Sequence, residues 1–380
     1  MTTPTQIKLD PAHYTITDAS EIFSPGLVVF RKLVEGNLNE MIRIAGGAEN
    51  LRPHCKTHKM PGIIGMMESL GIRKHKCATI AEAEMLCEAG ARDILIAYQM
   101  VGPNIGRFVN LIDKYPDKKF ATLVDHPDAL NELSQALSAA GKTAHVLMDV
   151  DSGMGRTGIA AGEAAMRLYE MICSMPGVES DGLHWYDGHH RQSDPGERRT
   201  AIENAWLPLT QLRDNLLMEG LPVPKVVVAG TGSFPILADF GEPNLELTPG
   251  TTTLYDIGYL ENFPDLDLQP AAGVLTRVVS CNRPGHLTLD CGHKSISPDQ
   301  PAGNRVYLPE LPDAKEVNHT EEHLVIETDR ASEFSPGDHL VALPRHVCPT
   351  SALHQIAHVI DDGKLVDRWP VVGRDRKISI

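Results

Sequence analysis

The sequence HKCATIAEAEMLCEAGARDILIAY, residues 75–98, contains two short apolar runs with a helix-like segment between them. The runs are HKCATI (75–80) and DILIAY (93–98), and the segment between them includes AEAEMLCEAG (81–90). The runs hardly alternate with polar residues, which indicates strands buried on both faces. A strand, a helix and a second strand in this order predict a right-handed βαβ unit of a parallel sheet.

The same alternation recurs on both sides of this stretch. Helix-like segments such as PDALNELSQALSAAGK (127–142) and GEAAMRLYEMICSM (162–175) separate further apolar runs. About eight units over roughly 230 residues fit a TIM (β/α)8 barrel, while a doubly wound sheet is the alternative that strand counting leaves open. The further runs are LVVF (27–30), LRPHCK (51–56), FATLVD (120–125), HVLMDV (145–150), GLHWYD (182–187), KVVVAG (225–230) and LELTPG (245–250).

The pattern changes near residue 262, where NFPDLDLQP is a linker rich in Pro and Asp. The strand runs after it have Pro, Gly and Asp between them instead of helices, which predicts an all-β C-terminal domain. We therefore expect a barrel domain over 20–262 and a β domain over 263–380 that also includes 1–19. The runs are AAGVLTRVVS (271–280), HLTLDCG (286–292), NRVYLP (304–309), EHLVIET (322–328), DHLVAL (338–343) and HQIAHVI (354–360).

Composition excludes several classes of protein. The 380 residues are 42% hydrophobic and 22% charged, which is ordinary globular usage and unlike a disordered chain, a coiled coil or collagen. No stretch approaches the ~20 apolar residues of a membrane span, and the polar start lacks the pattern of a secretory signal. Seven cysteines without a framework indicate a reducing, cytoplasmic setting, and the net charge of -15 disfavours nucleic acid as a partner.

The segment RPHCKTHK (52–59) concentrates cationic side chains at the end of a predicted strand. In a β/α barrel the carboxyl ends of the strands carry the catalytic groups. A partly desolvated lysine with cationic neighbours has a lowered pKa and makes a good Schiff-base amine. Lys56 ends the strand run directly and is better placed than Lys59. The alternative is a solvated basic loop.

Two more strand ends carry candidate site residues. DVDSGMGRTGI (149–159) has a G-x-G-x-x-G spacing, but its helix pattern starts only near Gly162, so we favour a bent loop that aims Arg156 into the barrel mouth over a dinucleotide site. GLHWYDGHHRQ (182–192) brings a set of polar side chains to another strand end, namely His184, Tyr186, Asp187, His189, His190 and Gln192. A His-rich loop of this kind suits a metal or a hydrogen-bonded polar lining equally well.

Three later motifs complete the candidate set. VAGTGSFP (228–235) and LTPGTT (247–252) are glycine-containing loops of the kind that bind a phosphate through backbone N–H groups in barrels, unless they are only tight turns. RHVCPT (345–350) places His346 and Cys348 at an expected strand end, where residues i and i+2 point the same way. Imidazole and thiolate suit Zn²⁺, although His75-x-Cys77 has the same spacing and is read as core.

These motifs resemble one known family when they are taken in their order. RPHCKTHK with Lys56, the strand-end Arg156, the Tyr186 loop, the GTGSF loop and the late H-x-C-P-T resemble the pyridoxal-phosphate (PLP) enzymes of the alanine-racemase fold type. Within that type the chain is similar to the D-threonine aldolase and eukaryotic-type D-serine dehydratase family. The resemblance covers essentially the whole chain, and the family's barrel plus β domain agrees with the expected fold.

The resemblance implies a role for each matching residue. Lys56 binds PLP as a Schiff base, Arg156 contacts the cofactor ring near its phenolic oxygen, and Tyr186 lines the ring. His346 and Cys348 bind a divalent metal, Zn²⁺ or Mn²⁺, beside the substrate hydroxyl. The residues implied for the cofactor phosphate are Thr231, Gly232, Ser233, Gly250 and Thr251.

The implied function is a PLP- and metal-dependent lyase that cleaves D-3-hydroxy amino acids to glycine and an aldehyde, as D-threonine aldolases do. A dehydratase giving a 2-oxo acid and ammonia is the alternative, since Cys348 forms the His-x-Cys pattern of D-serine dehydratases whereas D-threonine aldolases usually have His-x-Asp. A racemase, a non-catalytic PLP-binding protein and a PLP-free metal hydrolase are further alternatives. Metal-bound water, His189 or His190 is the expected base on the hydroxyl. A homodimer acting on a small D-amino acid is expected.

Overall fold

The computed structural model describes residue 7 and residues 9–380. They divide into two compact units. One unit comprises the described residues up to 40 with 57–62 and 251–375, and the other comprises 41–56, 63–250 and 376–380. The domain limits expected from the sequence, at residues 19, 262 and 263, stay predictions.

The described residues form sixteen strands. They are β1 (Gly26–Phe30), β2 (Lys74–Cys77), β3 (Asp93–Gln99), β4 (Lys119–Val124), β5 (Ala144–Val150), β6 (Val178–Trp185), β7 (Val226–Val228), β8 (Leu245–Leu247), β9 (Ala272–Ser280), β10 (His286–Leu289), β11 (Val306–Tyr307), β12 (Lys315–His319), β13 (Leu324–Glu327), β14 (His339–Pro344), β15 (Ile356–Asp361) and β16 (Lys364–Pro370).

Ten α-helices lie among these strands. They are α1 (Arg31–Ala45), α2 (Pro61–Ser69), α3 (Ile80–Glu88), α4 (Pro103–Lys114), α5 (Pro127–Ala139), α6 (Glu163–Ser174), α7 (Pro195–Met218), α8 (Phe234–Asp239), α9 (Ile257–Asn262) and α10 (Val347–Leu353). Within the described residues, no helix is both long and apolar enough to cross a membrane.

The strands β2 to β8 form one parallel sheet in sequence order. The segment 51–54 closes it, because Leu51 bridges to Leu247 of β8 and His54 bridges to Lys76 of β2. The backbone N–H of Lys76 donates to the carbonyl of Pro53 at 2.9 Å, which completes the ring of hydrogen bonds. The predicted β/α barrel is therefore confirmed, and the doubly wound alternative is wrong.

Apolar side chains from four barrel strands form a common cluster. Its buried members are Leu95, Ala121, Leu123, Leu147 and Val227, from β3, β4, β5 and β7. Side chains of alternate residues point to opposite faces of a strand, so these strands contribute one face to this cluster and the other to the surrounding helices. Burial on both faces explains why the runs read as continuously apolar in the sequence.

The amino ends of the barrel strands carry a chain of ion pairs. Arg52 is 1% exposed and pairs with Glu246 at 2.6 Å and with Asp93 at 2.7 Å. Lys225 bonds Asp181 at 2.8 Å and lies 3.7 Å from Glu246. The pairs link β3, β8 and the closing segment, so they hold the barrel together at the end opposite to Lys56.

The other unit contains a nine-stranded sheet in which β12, β13, β10, β9, β1, β15 and β16 are successive neighbours. Strand β14 pairs with both β9 and β11. The all-β character expected after residue 262 is confirmed, with α10 inserted before β15.

The expectation that LVVF (27–30) is a barrel strand is wrong. Strand β1 pairs parallel with β15 and antiparallel with β9 in the nine-stranded sheet. Val28 and Phe30 pack into the apolar core of that sheet with residues such as Leu275 and Ile360. A fully buried strand reads alike in either sheet, so its apolar run does not tell which sheet it joins.

Candidate active site

Lys56 lies in a short 3₁₀ turn, Cys55–Thr57, that directly follows the barrel-closing segment. The Nδ1 of His54 accepts the backbone N–H of Lys56 at 3.2 Å and fixes the turn. The Lys56 amine lies 5.4 Å from the centre of the Tyr186 ring. The closing segment thus brings the predicted Schiff-base lysine to the carboxyl ends of the barrel strands, as expected.

Arg156 and Tyr186 meet at the same place, after β5 and β6 respectively. The Arg156 guanidinium carbon lies 4.9 Å from the Tyr186 ring centre, within the range of a cation–π contact. In the described part of the chain, neither the Lys56 amine nor the Arg156 guanidinium takes part in an ion pair. Two unpaired cations on one aromatic ring form a site for an anionic, planar ligand.

Gly188 makes room for the Tyr186 ring. A Cβ at Gly188 would lie 2.3 Å from the Tyr186 hydroxyl oxygen, too close for the ring to stay in place. We expect Gly188→Ala to displace the ring, to destabilise the fold by about 1–3 kcal/mol, and to weaken PLP binding. Thermal unfolding and PLP titration followed by absorbance measure the two effects.

Gly106→Ala in α4 is the control for this substitution, because a Cβ there meets open space. Its stability should stay unchanged or rise, since alanine favours a helix more than glycine does. If Gly188→Ala binds PLP as tightly as the unmodified protein, the Tyr186 ring is not part of the cofactor site.

The loop Gly230–Ser233 follows β7 and is buried. Among the described residues, the backbone N–H groups of Thr231, Gly232 and Ser233 find no acceptor. Buried N–H groups are nearly always satisfied, so three successive free donors indicate an anion such as a phosphate. The loop predicted for the cofactor phosphate has the donors that this group requires.

Asp187 holds this loop from the neighbouring strand end. Its Oδ1 accepts the backbone N–H of Gly230 at 2.9 Å and the Ser233 hydroxyl at 2.6 Å. Burial raises the pKa of Asp187, and these two hydrogen bonds oppose the rise. Because the Ser233 hydroxyl is engaged by Asp187, the backbone N–H of Ser233 is the group left for a phosphate. Sequence reasoning named Ser233 and placed Asp187 at this strand end, but it did not connect Asp187 with the loop Gly230–Ser233.

Gly250 and Thr251, the other two predicted phosphate residues, fall into different units of the structure. Gly250 is buried and follows Pro249, whose carbonyl accepts the backbone N–H of His54 at 3.1 Å. The Thr251 hydroxyl lies 3.7 Å from the Cys348 thiol. Their predicted role at the phosphate stays a prediction.

Lys76 was missed by the sequence analysis, which assigned HKC to the core. Its amine bonds Nε2 of His184 at 2.8 Å and Oγ1 of Thr248 at 3.1 Å, and lies 5.7 Å from the Tyr186 ring centre. The Nδ1 of His184 in turn bonds Asp149 at 2.7 Å. A lysine in the middle of a strand that is predicted to be buried was the signal available in the sequence.

The electrostatics of this group follow from its burial. Burial, together with the charges of Lys56 and Arg156, lowers the pKa of Lys76 to about 7 against the opposing charge of Asp149. Burial and the Lys76 charge lower the pKa of His184 to about 4, so its imidazole is neutral. The pKa of Asp149 is lowered because its bond to His184 and its other hydrogen bonds outweigh its burial. Asp149 therefore accepts from Nδ1, and Nε2 accepts from Lys76.

His189 and His190 stack on each other, with ring centres 4.1 Å apart. Burial lowers the pKa of His190, whose Nε2 has no hydrogen-bond partner among the described residues. A neutral imidazole with a free nitrogen can accept a proton. The structure brings the two predicted bases together, and their role on the substrate stays a prediction.

His346 and Cys348 lie in the other unit, at the start of α10. The segment is not extended as the sequence suggested, because His346 is the N-cap and Cys348 lies in the first turn of the helix. The Nδ1 of His346 bonds Asp299, and the Cys348 thiol lies 3.2 Å from the Thr57 hydroxyl.

The pKa values of His346 and Cys348 are shifted in opposite directions by their contact with each other. Burial raises the pKa of Cys348, but its bond to His346 outweighs burial and brings the pKa below its usual value. Burial lowers the pKa of His346, but Cys348 and Asp299 raise it to about 9. A neutral imidazole and a thiolate are ligands that suit Zn²⁺, so a metal bound here would replace the proton on His346. The predicted metal role of His346 and Cys348 stays a prediction.

A second group could also hold a metal ion. The ligand atoms of His54, Cys55 and Glu82 all lie within 4.8 Å of one another, and all three side chains are buried. Glu82 belongs to the cap of α3, where its carboxylate accepts the backbone N–H of Ala78 at 2.6 Å. Sequence reasoning missed this group because Glu82 lies 27 residues after Cys55 in the chain.

Comparison with known proteins gives the family. Residues 31–243 match the alanine racemase N-terminal domain, and residues 271–360 match a putative serine dehydratase domain. The D-threonine aldolase of Arthrobacter sp is 30% identical over 97% of both chains. This chain belongs to the alanine-racemase-type family that includes D-threonine aldolase. The family is PLP-dependent, and its homologues act on D-amino acids.

Other members of the alanine-racemase-type family are similar over most of their length. The 3-hydroxy-D-aspartate aldolase of Paracoccus denitrificans (strain Pd 1222) is 28% identical over 94% of both chains. The crystal structure of D-threonine aldolase from Filomicrobium marinum has a TM-score of 0.87 at 29% identity, covering 93% of this chain and 96% of that chain. The family predicted from the lysine and H-x-C-P-T motifs is confirmed.

Proposed function

We propose that this chain is a PLP- and metal-dependent lyase that cleaves D-3-hydroxy amino acids, such as D-threonine, to glycine and an aldehyde. The observation that carries the proposal is the Lys56 amine on the Tyr186 ring beside the unpaired Arg156 guanidinium. Two relatives of nearly equal length, a D-threonine aldolase and a 3-hydroxy-D-aspartate aldolase, support this choice of reaction.

The barrel residues would hold the cofactor at three points. Lys56 would bind it covalently, and Arg156 and Tyr186 would hold its ring by charge and by contact. The free N–H groups of the loop Gly230–Ser233 would bind its phosphate. When bound, PLP supplies a conjugated ring that accepts the electron pair left on Cα.

The residues around His346 would hold the metal. The thiolate of Cys348 and the imidazole of His346 would be its ligands, with Asp299 orienting the imidazole. When bound, a divalent ion supplies Lewis acidity to a substrate hydroxyl. His189 or His190 would accept the hydroxyl proton, because burial keeps the His190 imidazole neutral.

Dehydration to a 2-oxo acid and ammonia is the second candidate reaction. Two observations favour it: residue 348 is a cysteine, and residues 271–360 match the putative serine dehydratase domain. Both reactions start from the same bound substrate and differ in the bond that breaks. The residues that bind the substrate therefore do not choose between them.

Product identification separates the two reactions. D-Threonine is incubated with the protein, PLP and Zn²⁺ or Mn²⁺, and the products are identified by NMR, with L-threonine as the control substrate. We expect glycine and acetaldehyde from D-threonine alone, and a loss of turnover after chelation of the metal. 2-Oxobutanoate and ammonia would establish the dehydratase instead. D-allothreonine, L-threonine or L-allothreonine as the product would indicate a racemase or epimerase.

A further inference from the structure

The Lys76 amine is the most deeply buried amine that faces the Tyr186 ring, and the proposed function leaves it without a role. The residue is 2% exposed, and in the described part of the chain it forms no ion pair with a carboxylate. A buried amine that has no carboxylate partner lowers the stability of the fold. Such groups are found where a site needs them for chemistry.

The Lys76 amine uses two of its three hydrogen-bonding directions within the protein. His184 and Thr248 each accept one N–H from it, since Nδ1 of His184 is bound to Asp149 and the Thr248 hydroxyl donates to backbone carbonyls. The third position of the nitrogen has no partner among the described residues. That position is a lone pair when the amine is neutral and an N–H when it is charged.

We propose that Lys76 is a second catalytic amine of the barrel site, which takes the proton from the substrate Cα and returns it there. The inference rests on the proposed function, because it requires the cofactor at Lys56. Lys56 and Lys76 lie 5.4 Å and 5.7 Å from the same ring centre, so both amines face one ligand site.

Lys76 suits this step better than Lys56 because its amine is fixed. Among the described residues, no side chain or carbonyl accepts a hydrogen bond from the Lys56 amine, whereas Lys76 has two acceptors at defined positions. Proton transfer at carbon requires the base to be held at the reacting atom. The chain from Lys76 through His184 to Asp149 supplies that orientation.

The protonation of Lys76 is set by the groups around it. Burial and the cationic neighbours bring its pKa to about 7, so both forms are present near neutral pH. A base or acid works best when its pKa is close to the working pH. The titratable and charged groups that face it are Lys56, Tyr186, Arg156, Arg52, His184 and Asp149.

Every proton in the proposed step has a donor and an acceptor. In cleavage, the Cα–Cβ bond breaks with its electron pair left on Cα, and Lys76 gives Cα the proton that makes glycine. The hydroxyl proton passes to another acceptor and, through solvent, restores the proton on Lys76. In reverse, with glycine alone, the Cα–H bond breaks, its proton moves to Nζ, and the pair stays on Cα.

Exchange of the glycine α-protons in D₂O tests this step apart from cleavage. The holoenzyme is incubated with glycine, and loss of the Cα–H signal is followed by NMR. We expect Lys76→Met to slow exchange by about 100-fold or more while keeping the visible absorbance of bound PLP. Methionine has a similar length and removes a buried charge, so the fold should be retained.

Four further measurements separate a catalytic amine from a structural one. Lys74→Met, on the same strand and ion-paired with Glu246 at 3.0 Å, should exchange glycine like the unmodified protein. Lys76→Arg should stay slow because arginine does not give up its proton near neutral pH, and added ethylamine should partly restore Lys76→Ala. The pH profile of exchange should lose its inflection near pH 7 in Lys76→Met.

Normal exchange in Lys76→Met, or full recovery in Lys76→Arg, would overturn the inference. A holoenzyme that binds PLP but does not exchange glycine at all would overturn it too. If the unmodified protein exchanges glycine but does not cleave D-threonine, the proposed function fails while the role of Lys76 stands. The two failures are therefore distinguishable.

Discussion

Lys56→Ala is expected to lose covalently bound PLP and to reduce turnover of D-threonine by about 10⁴-fold or more. The lysine is the group proposed to hold the cofactor, and its amine lies on the Tyr186 ring at 5.4 Å. Removing it takes away both the attachment and an amine at the reacting centre. Borohydride reduction fixes the lysine-bound cofactor, and peptide mass spectrometry identifies the modified residue.

Lys59→Ala is the matched control for this substitution. Lys59 belongs to the same basic segment, and its amine donates to the carbonyl of Gly373 at 3.4 Å. We expect this variant to keep the visible absorbance and the reduced label on Lys56. A label found on Lys59 in the unmodified protein would refute the assignment of Lys56.

The barrel was predictable because each of its strands can be recognised from its own short stretch of sequence. Strands covered on both faces, such as DILIAY (93–98), read as continuous apolar runs, and the helices between them fix the parallel direction. Strand β1 has the same local character but joins the other sheet, through pairing with residues more than 200 positions away. The sequence of the strand itself does not indicate which distant strand it will pair with.

The candidate site was predictable where residues follow strands and unpredictable where they lie within them. Lys56, Arg156 and Tyr186 were found because the ends of parallel strands meet at one edge. Lys76 and Asp149 were missed because they lie inside buried strands that were read as core. Only their contacts across the barrel show that the core has a polar layer.

Arg52→Met is expected to cause the largest loss of stability, about 3 kcal/mol in the free energy of unfolding. The guanidinium is buried and pairs with Asp93 and Glu246, so its removal leaves two carboxylates with fewer partners inside the protein. Lys74 and Lys225 still reach Glu246, which limits the loss. Urea unfolding followed by circular dichroism measures it. Arg73→Met is the control, because its exposed pair with Glu68 should contribute at most about 1 kcal/mol.

The pH dependence of this loss shows whether charge pairing causes it. Burial raises the pKa of Glu246, but Arg52 and the two lysines outweigh burial and bring it to about 2. A carboxylate with a lowered pKa contributes stability that is present above its unfolded pKa and is lost as the pH falls toward the folded value. In Arg52→Met the pKa of Glu246 rises, so less stability remains to be lost in acid. The difference in the free energy of unfolding between the unmodified protein and Arg52→Met should therefore have its full size at pH 7. It should become smaller as the pH falls below about 4.5. A gap that stays constant over this range would mean that Arg52 stabilises the barrel by packing rather than by its charge.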